Sequence, residues 1–467
     1  AELAARIAEI VGGRVHHCGF NGEDAGALLP RLFADSTPIV GICAAGILIR
    51  LLAPHLQDKR EEPPVLAVSR DGASVVPLLG GHHGANQMAR MLAEALGGHA
   101  ALTTASDSMF TRGLDEPPPG WELSRDDDAK PAMMSLLVGA KIALEGHAPW
   151  IAEAGYPVSS MGQMRVLVTE QKLKIDRGLV YHPKTLVAGV GCERGTSAAE
   201  VIELIGFALS RDNLSAQSLA AIATADIKAD EPALHAAARH FNVPLRLFTV
   251  AELNQERYRL ANPSAIVEAE VGTPSVAEAA ALKAGKLLVQ KLKSQRATCA
   301  LGKSPRPVEI ENFGRAPGLL NIVGIGPGDA ATRTISAIRA LDQSSDWVGY
   351  GLYLDLIEDM RISQERHRFE LGDEEGRVRH ALELAASGRK VSLVCSGDGQ
   401  IYAMAALVYE LLNERGERAV SDAARRVAVE AHPGISAFQA ASAAAGALVG
   451  HDFCCISLSD LLTPREE

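Results

Sequence analysis

The sequence predicts an α/β protein that contains several doubly wound domains. Short apolar runs of strand character alternate with helical patterns along almost the whole chain, which is the order that repeated β-α units produce. Glycine-rich turns follow several of these runs, as expected where strands of a parallel sheet lead into helices. At 467 residues the chain is long enough for roughly three domains of ordinary size.

Composition is typical of a globular chain and argues against a membrane-spanning protein and against a nucleic-acid-binding protein. Hydrophobic residues make up 47% and charged residues 22% of the sequence, and the longest apolar run, VGICAAGILIRLLAP, is interrupted by Arg50. It therefore falls short of the about 18 uninterrupted apolar residues of a membrane span. A net charge of −11 disfavours a nucleic-acid partner. Any polyanionic ligand must be held by local basic residues.

The seven cysteines are scattered without a C-x-x-C pair. This pattern favours a reduced, cytoplasmic location over a disulfide framework or a structural zinc site, and we predict no metal site. The opening run AELAARIAEI reads as a helix and not as a signal peptide. Because α/β domains usually begin with a strand, we expect the natural N-terminus to lie further upstream.

The first half of the chain is predicted to contain two domains. Residues 1–107 form an α/β domain with strands in PIVGICAAG, PPVLAVSRDG and SVVPLLGG and a helix in ANQMARMLAEALGG, which Gly97 and Gly98 close. Residues 108–184 are more irregular, with the turn-rich EPPPGW and the acidic DDD at 126–128. We interpret them as an intermediate domain.

The second half is predicted to contain two further domains and a linker. A new α/β domain covers residues 185–302, and the proline- and glycine-rich stretch 303–317 is interpreted as a linker. The last domain, 318–467, begins with the run NIVGIGPGD. This run fails the dinucleotide-binding pattern, because Asp329 takes the place of the third glycine and Pro327 lacks a backbone N–H. We therefore expect a ligand other than a pyrophosphate.

Three sets of loops at predicted strand ends carry the candidate chemistry. The first is GGHHGAN, residues 80–86, where His82 and His83 stand at a helix start and are candidates for a general base. The alternative is a glycine-rich turn whose imidazoles only satisfy backbone groups. His16 and His17 lack such a loop and are predicted to be structural or exposed.

The second loop is GVGCERGTSAAE, residues 189–200. Ser197 and Glu200 fit a capping box, and Arg194 beside the resulting helix start would form a carboxylate or phosphate site. Ser275 and Glu278 repeat the capping pattern. The alternative is a well-capped turn with one surface arginine, and Cys192 is interpreted as structural.

The third set comprises the runs GIGPGD, CSGDGQIYAMA and AHPGISAFQAA in the last domain. Glycine lets a backbone approach a ligand closely, and Asp329 or Asp398 can accept hydrogen bonds from amines or hydroxyls. No base, nucleophile or metal cluster accompanies these loops in the sequence. A methyl donor such as S-adenosylmethionine suits them, because it carries its own leaving group and needs mainly alignment.

At these residues the chain resembles two known families. Residues 319–467 resemble the N-terminal half of a tetrapyrrole methylase through the three runs above, and GHDFCCISLSDLLTP is similar to precorrin-3B C(17)-methyltransferases. Residues 185–302 resemble the C-terminal domain of cobalt-precorrin-5A hydrolases in GVGCERGTS, ATADIKADE, FTVAELN and GTPSVAEAAAL. Residues 37–107 resemble the N-terminal domain of that hydrolase family in GILIRLLAPHLQDK, VVPLLGGHHGAN and ALTTASD. The chain therefore resembles a fusion of two enzymes of cobalamin biosynthesis.

The resemblance implies two activities on carboxylate-rich tetrapyrroles. The methylase would transfer a methyl group from S-adenosylmethionine to ring carbon 17 with ring contraction, and the hydrolase would open a lactone and release a two-carbon aldehyde. Cobalt would be present only as part of the substrate. We expect no nucleic-acid or membrane partner, and a homodimer through the methylase domain.

The candidate site residues fall into three groups. The predicted catalytic residues are His82 and His83. The predicted substrate-binding residues are Lys59, Thr103, Thr104, Arg194, Thr196 and Ser197. The predicted cofactor-binding residues are Gly324, Gly326, Pro327, Gly328, Asp329, Ser396, Gly397, Asp398, Ile401, Tyr402, Pro433 and Gly434.

Two departures from the family pattern affect the methylase reading. Gly399 and Gln400 follow SGD where family members often carry proline and glycine. The sequence also ends at LLTPREE, where the second half of the methylase would begin, so we expect this polypeptide to supply one wall of the cofactor cleft and not to catalyse methyl transfer by itself. A non-catalytic module that binds or hands over corrinoid intermediates, and a nucleotide-dependent oxidoreductase, remain the alternatives.

Overall fold

The computed structural model describes residues 2–19, 22–58, 61–102, 109–447, 449–450, 453–454 and 456, apart from the side chain of His82. The described chain divides into two compact units. The first comprises Ala1–Leu186, Leu209–Ala220 and Ser304–Val308, and the second comprises Val187–Ala208, Ala221–Lys303 and Glu309–Glu467. None of the helices described is long and apolar enough to cross a bilayer.

The first unit contains two four-stranded sheets. Its helices are α1 Glu2–Val11, α2 Ala25–Ala34, α3 Ala45–Leu52, α4 Ala85–Leu96, α5 Ala129–Leu137 and α6 Pro149–Glu153. Its strands are β1 Ile39–Gly41, β2 Val65–Val68, β3 Ser74–Leu79, β4 His99–Ala100, β5 Trp121–Leu123, β6 Ile142–Glu145, β7 Met164–Val168 and β8 Gly178–Pro183. The two sheets have the strand orders β1-β2-β3-β4 and β5-β8-β7-β6.

Helix α4 illustrates how the sequence builds this unit. Its buried residues Ala85, Ala89, Leu92 and Ala93 recur at the spacing that places them on one helical face. The helix ends at Gly97, whose φ of 72° is left-handed and whose N–H returns to carbonyls of the last turn. The predicted helix and its glycine stop are confirmed.

The other strands form two five-stranded sheets. The strands are β9 Leu186–Cys192, β10 Leu219–Ala225, β11 Leu245–Phe248, β12 Lys286–Lys293, β13 Ala297–Lys303, β14 Leu319–Gly324, β15 Asp346–Tyr350, β16 Glu365–Phe369, β17 Lys390–Cys395 and β18 Ala428–His432. The orders are β11-β10-β9-β13-β12 and β16-β15-β17-β14-β18. The helices are α7 Ala198–Arg211, α8 Pro232–Phe241, α9 Val250–Asn254, α10 Ala265–Val271, α11 Val276–Leu282, α12 Ile335–Gln343, α13 Gly351–Asp355, α14 Glu374–Ala386, α15 Met404–Asn413 and α16 Ala437–Ala445.

The predicted α/β class is confirmed, with one refinement. Only the β14–β18 sheet is parallel at every pairing. Each of the other three sheets contains an antiparallel pair, namely β2 with β3, β5 with β8, and β12 with β13. The pairs β2 with β3 and β12 with β13 join consecutive strands through short connections, whereas β6 and β7 lie between β5 and β8 in the sequence. The alternation of strands and helices did not reveal these antiparallel pairs.

The stretch predicted as a linker, 303–317, contacts a sheet edge over part of its length. Leu247 of β11 exchanges backbone hydrogen bonds of 2.8 and 3.0 Å with Arg315. Arg246 donates to the carbonyls of Phe313 and Gly314 at 2.7 and 3.0 Å. Residues 313–315 therefore extend the edge of this sheet.

Candidate functional sites

The glycine–histidine loop lies between β3 and α4. Gly80 and Gly84 have φ values of 73° and 88°, and they flank a single 3₁₀ turn, Gly81–His83. A Cβ on Gly80 would lie 2.3 Å from the carbonyl oxygen of Pro63, so only glycine fits there. The side chain of His83 is exposed beside the first residue of α4.

Several predicted residues of this region lie outside the described residues. They are Lys59, Thr103, Thr104 and the side chain of His82. The strand leading to the threonines, β4, pairs in parallel with β3 through Ser74 with His99 and Val75 with Ala100. The strand that leads to the threonines therefore lies beside the strand that leads into the glycine–histidine loop.

A polar cleft of about 430 Å³ borders the glycine–histidine loop. We call it the Arg112 cleft; its lining residues are Gly84, Gln87, Arg112, Asp115, Glu116, Pro117, Trp121, Glu122 and Leu123. Sequence analysis missed it, although the turn-rich run EPPPGW supplies part of its wall. A turn flanked by an arginine and a tryptophan is the signal that would have indicated it.

In the Arg112 cleft, Glu122 has a charged partner, whereas Arg112 has uncharged hydrogen-bond acceptors. Glu122 accepts from Lys184 at 2.6 Å and from the amide of Gln217 at 2.8 Å, so its charge is already paired. Among the described residues, Arg112 donates to the carbonyl of Glu116 at 3.3 Å and to the side-chain oxygen of Gln87 at 3.4 Å. Within the described part of the chain this guanidinium makes no ion pair.

The loop predicted as an anion site has its arginine already paired. Arg194 lies 2.5 Å from a carboxylate oxygen of Asp230 and donates to the carbonyl of Ile227 at 2.6 Å. Glu231 is 3.8 Å away and also accepts from the N–H of Gly195. An anion at this position would have to displace Asp230, so the anion site stays a prediction that the local charges do not favour.

The capping box predicted at Ser197 and Glu200 forms only in part. Ser197 accepts from the N–H of Glu200 at 3.2 Å, but the Glu200 carboxylate accepts from the hydroxyl of Ser294 and the N–H of Arg296. These two donors hold the pKa of the Glu200 carboxyl below its usual value. Thr196 is buried and donates to the carbonyl of Glu193 at 2.8 Å. The reciprocal box was a wrong prediction, because donors distant in sequence take the carboxylate.

The second predicted box, at Ser275 and Glu278, is incomplete for the same reason. Glu278 is fully buried and accepts from the backbone amides of Ala261, Asn262 and Lys291. Burial alone would raise the pKa of this carboxyl, but the hydrogen bonds from Asn262 and Lys291 lower it. Complete boxes occur instead at Thr249 with Glu252 and at Ser436 with Gln439.

Cys192, at the end of β9, behaves as a structural thiol. Burial raises its pKa to about 11, and Glu231 adds to the rise. The thiol is therefore protonated at neutral pH and is a poor nucleophile.

The three glycine loops of the last sheet converge at neighbouring strand ends. β14 lies between β17 and β18, and Gly324 is level with Cys395 while Val323 is level with His432. The connection after β14 leads toward β15, and the connection after β17 leads to the opposite side, to β18. The strand order therefore reverses between β14 and β17, which is where open α/β sheets bind ligands.

Backbone contacts lock these three loops together. Gly326 and Gly397 exchange hydrogen bonds of 3.1 and 2.8 Å. A Cβ on Gly434 would lie 2.0 Å from the carbonyl oxygen of Gly397, and one on Gly324 would lie 2.7 Å from the N–H nitrogen of Gly434. The glycines were predicted to let the backbone approach a ligand. At 324 and 434 the structural requirement is that the loops approach one another.

The predicted cofactor residues with side chains are spread over the mouth of these loops. Asp329 accepts from the N–H of Ala331 at 2.9 Å, and Asp398 accepts from that of Gln400 at 2.8 Å. Within the described residues the second oxygen of each carboxylate accepts no hydrogen bond. Pro327 and Pro433 are exposed, Gly328 and Ser396 are half-buried, and Ile401 and Tyr402 expose 40% and 67% of their surface.

Tyr402 has a positive φ of 46°. Left-handed backbone is costly for a residue with a Cβ, and such conformations cluster at ligand sites.

One group of described side chains has the composition of a metal site. Asp346, Glu365 and His367 lie within 4.8 Å of one another. Arg389 lies 2.7 Å from Asp346 and 3.0 Å from Glu365, and His367 lies 2.9 Å from Asp346. The guanidinium already supplies the positive charge between the two carboxylates, so this group is a salt-bridge network at the amino end of β15.

Three family models match separate parts of the chain. "Cobalamin synthesis G N-terminal" matches residues 27–107, and "Cobalamin synthesis G C-terminus" matches residues 186–302. "Tetrapyrrole (Corrin/Porphyrin) Methylases" matches residues 319–467. The predicted fusion is confirmed by these matches.

Individual relatives agree with this division. A cobalt-precorrin-5A hydrolase of Priestia megaterium is 30% identical over 306 residues, which cover 60% of this chain and 81% of that protein. Protein CobE of a Sinorhizobium species is 49% identical over 120 residues, or 25% of this chain and 78% of that protein. A probable cobalt-factor III C(17)-methyltransferase of Salmonella typhimurium is 42% identical over 146 residues, which cover 31% of this chain and 57% of that protein.

Proposed function

The chain belongs to the cobalt-precorrin-5A hydrolase family, and from this premise we propose that residues 1–302 open the lactone of a (cobalt-)precorrin-5A-like tetrapyrrole by hydrolysis. The observation that carries the proposal is the Arg112 cleft, which borders the glycine–histidine loop at the start of α4. Cobalt, where present, belongs to the substrate. The two-carbon aldehyde would leave in a separate step after ring opening, in which the new hydroxyl becomes the aldehyde carbonyl, the bond from its carbon to the macrocycle breaks and the hydroxyl proton passes to the macrocycle.

The residues at this loop suit the chemistry of lactone opening. His83, or His82, would take a proton from water while the water oxygen bonds to the lactone carbonyl carbon. The N–H of Ala85 already donates to the carbonyl of Gly80 at 3.2 Å, so the oxyanion would be stabilised by a later amide of the first turn of α4, such as that of Gln87. The bond from carbonyl carbon to ring oxygen then breaks, and the imidazolium returns the proton to the leaving alkoxide. The products are a carboxylate and a hydroxyl group.

Isotope labelling tests the hydrolytic step. In water enriched in oxygen-18, the wild-type protein should place one heavy oxygen in the new carboxylate. We expect H83Q or H82Q to lower kcat by about 100-fold with little change in KM. The matched control is H147Q, which alters an exposed histidine of the same unit. Tight tetrapyrrole binding without label incorporation by the wild-type protein would favour the non-catalytic binding module instead.

For the second region we propose that residues 318–467 bind S-adenosylmethionine and take part in methylation of a precorrin-3B-like substrate at ring carbon 17. The supporting observation is the convergence of the three glycine loops where the strand order reverses. The chain spans 57% of the methyltransferase from Salmonella, so methyl transfer by this polypeptide is a proposal.

The residues at these loops fit S-adenosylmethionine, which would supply an electrophilic methyl group when bound. The free oxygens of Asp329 and Asp398 would accept from its amine and hydroxyl groups. Ile401 and Tyr402 offer apolar surface for its adenine. The chain's own task is to hold donor and macrocycle in line, since the leaving group departs with the cofactor.

Calorimetry with S-adenosylhomocysteine tests this assignment. We expect D398N to weaken binding by about tenfold or more, because a charge-assisted hydrogen bond is lost. D422N, at an exposed position of the same unit, is the matched control. Binding of NAD with higher affinity than S-adenosylhomocysteine would favour the oxidoreductase alternative.

Further assignments rest on sequence patterns and on family resemblance. Lys59, Thr103, Thr104, Thr196 and Ser197 are proposed to contact the tetrapyrrole, whereas Arg194 is expected to stay paired with Asp230. A cytoplasmic location and a homodimer through the methylase region are proposed as well. Sedimentation of the purified protein at several concentrations tests the dimer.

A further inference from the structure

We propose that Arg112 is the residue that binds a carboxylate side chain of the tetrapyrrole and so holds one edge of the macrocycle in the Arg112 cleft. The inference rests on the proposed hydrolase function and extends it to a residue outside the matched family segments, which end at 107 and resume at 186.

The segment that carries Arg112 is held rigidly by side chains. Arg90 of α4 donates to the carbonyls of Phe110 and Thr111 at 3.1 and 2.6 Å. Tyr156 donates to the carbonyl of Arg112 itself at 2.7 Å. The backbone position of the arginine is therefore determined before any ligand binds.

A second tyrosine anchors the segment two residues further on. The hydroxyl of Tyr181, which is fully buried, donates to the carbonyl of Leu114 at 2.6 Å. Leu114 is itself buried, and Tyr181 packs edge-on against Trp150 at a centroid distance of 5.2 Å. A rigid scaffold of this kind lowers the ordering cost of binding.

The guanidinium of Arg112 retains capacity for a ligand. Its two hydrogen bonds are long, at 3.3 and 3.4 Å, and both acceptors are uncharged. Arginine matches a carboxylate in a bidentate pair, which is much stronger than contacts of this length. Among the described residues no carboxylate lies within ion-pair distance of it, in contrast to Arg194.

The rest of the cleft suits one edge of a macrocycle. The half-buried ring of Trp121 lines the wall and offers a flat apolar surface for stacking. Asp115 and Glu116 also line the cleft, and the third acid, Glu122, is already paired. Arg112 is the one cation among the described lining residues, so an incoming carboxylate depends on it for a charge partner. A volume of about 430 Å³ accepts part of a tetrapyrrole, with the remainder outside.

Direct binding of uroporphyrin, an octacarboxylate tetrapyrrole, tests the inference without requiring turnover. Titration into the full chain should quench tryptophan fluorescence, and W121F should lose much of the quenching while W150F and W347F retain it. We expect R112Q to weaken binding by about 10- to 100-fold. R112K should recover part of the affinity, because it keeps the charge but not the bidentate geometry.

Two controls separate a carboxylate contact from a change in fold. R165Q alters an arginine of the same unit that pairs with Glu145 on the surface, and its affinity should equal that of the wild type. The uroporphyrin octamethyl ester, which lacks carboxylates, should bind wild type and R112Q equally. Equal uroporphyrin affinity of R112Q and wild type, with both folded by circular dichroism, would overturn the inference.

The outcome for Arg112 is distinguishable from the outcome for the hydrolase. If the wild type opens the lactone and R112Q has the same KM, the hydrolase stands and the arginine has no binding role. If R112Q loses uroporphyrin affinity while the wild type shows no oxygen-18 incorporation, the binding residue stands and the hydrolase proposal fails.

Discussion

The segment that carries Arg112 and the glycine loops of the methylase sheet are both rigid, but different contacts hold them. In the first, tyrosine hydroxyls and an arginine donate to backbone carbonyls. In the second, backbones contact each other directly at Gly324, Gly397 and Gly434. Side-chain anchors can be removed one hydrogen bond at a time, whereas a backbone contact tolerates no added atom. The two regions should therefore respond differently to single substitutions.

The largest effect is expected from G434A in the methylase region. The new Cβ would lie 2.0 Å from the carbonyl oxygen of Gly397, so the loops must separate. We expect the free energy of unfolding to fall by about 3 kcal/mol or more. Urea unfolding followed through the fluorescence of buried Trp347 measures it.

The matched control for this glycine is G206A. A Cβ at Gly206, inside α7, meets no atom within 4 Å, and the helix should gain about 0.5–1 kcal/mol from the replacement. Equal stability of G434A and wild type would show that the loops are not packed as described.

A smaller effect is expected from Y181F in the first unit. The substitution leaves the buried carbonyl of Leu114 without its donor, which costs about 1–3 kcal/mol. It should also weaken uroporphyrin binding, because Arg112 loses part of its scaffold. Y258F, at a tyrosine that is 97% exposed, is the control for the loss of a hydroxyl. Reduced stability with unchanged porphyrin affinity would separate the scaffold from the binding site.

Lowering the pH should reduce the free energy of unfolding of the first unit through His182, the neighbour of Tyr181. Burial lowers the pKa of His182 below its ordinary value near 6.5, against an opposing hydrogen bond to the carbonyl of Thr169. As the pH falls below about 6.5, His182 of the unfolded chain binds a proton, while His182 of the folded chain, with its lower pKa, stays neutral. Stability should therefore fall as pH drops below about 6.5, by at most about 1.4 kcal/mol per pH unit from this group.

H182Q tests the assignment of that pH dependence. The difference in slope between wild type and H182Q, measured by urea unfolding from pH 7.5 to 5, isolates the contribution of this histidine. The exposed His147 provides the comparison variant H147Q. Identical slopes for wild type and H182Q would assign the acid sensitivity to other groups.

The smallest effect is expected from R194Q. Arg194 is half exposed and pairs with Asp230, and exposed ion pairs of this kind contribute about 0.2–1 kcal/mol. Uroporphyrin affinity should stay within twofold of the wild type, in contrast to R112Q. A loss as large as that of R112Q would restore the anion site that the sequence predicted.

Local sequence was sufficient to predict the fold class, the end of α4 and the positions of the three glycine loops. The alternation of apolar runs and helical patterns predicted the α/β class, and the glycines after α4 predicted where that helix ends. The runs ending in Gly324, Cys395 and His432 predicted three loops at strand ends, which pairing in one parallel sheet brings together. These features depend on backbone preferences and periodicity within a few residues.

Contacts between residues distant in sequence decided which charged side chains are paired and which can bind a ligand. Arg194 meets Asp230, 36 residues away, and Glu200 meets Ser294, 94 residues away. Arg112 is positioned by Arg90 and by Tyr156, which is 44 residues away. The sequence around a charged side chain indicates what it could bind. Its charge partner depends on which strands and loops the fold places beside it. For that reason the sequence pointed to the arginine that is already paired and passed over the one that has room for a ligand.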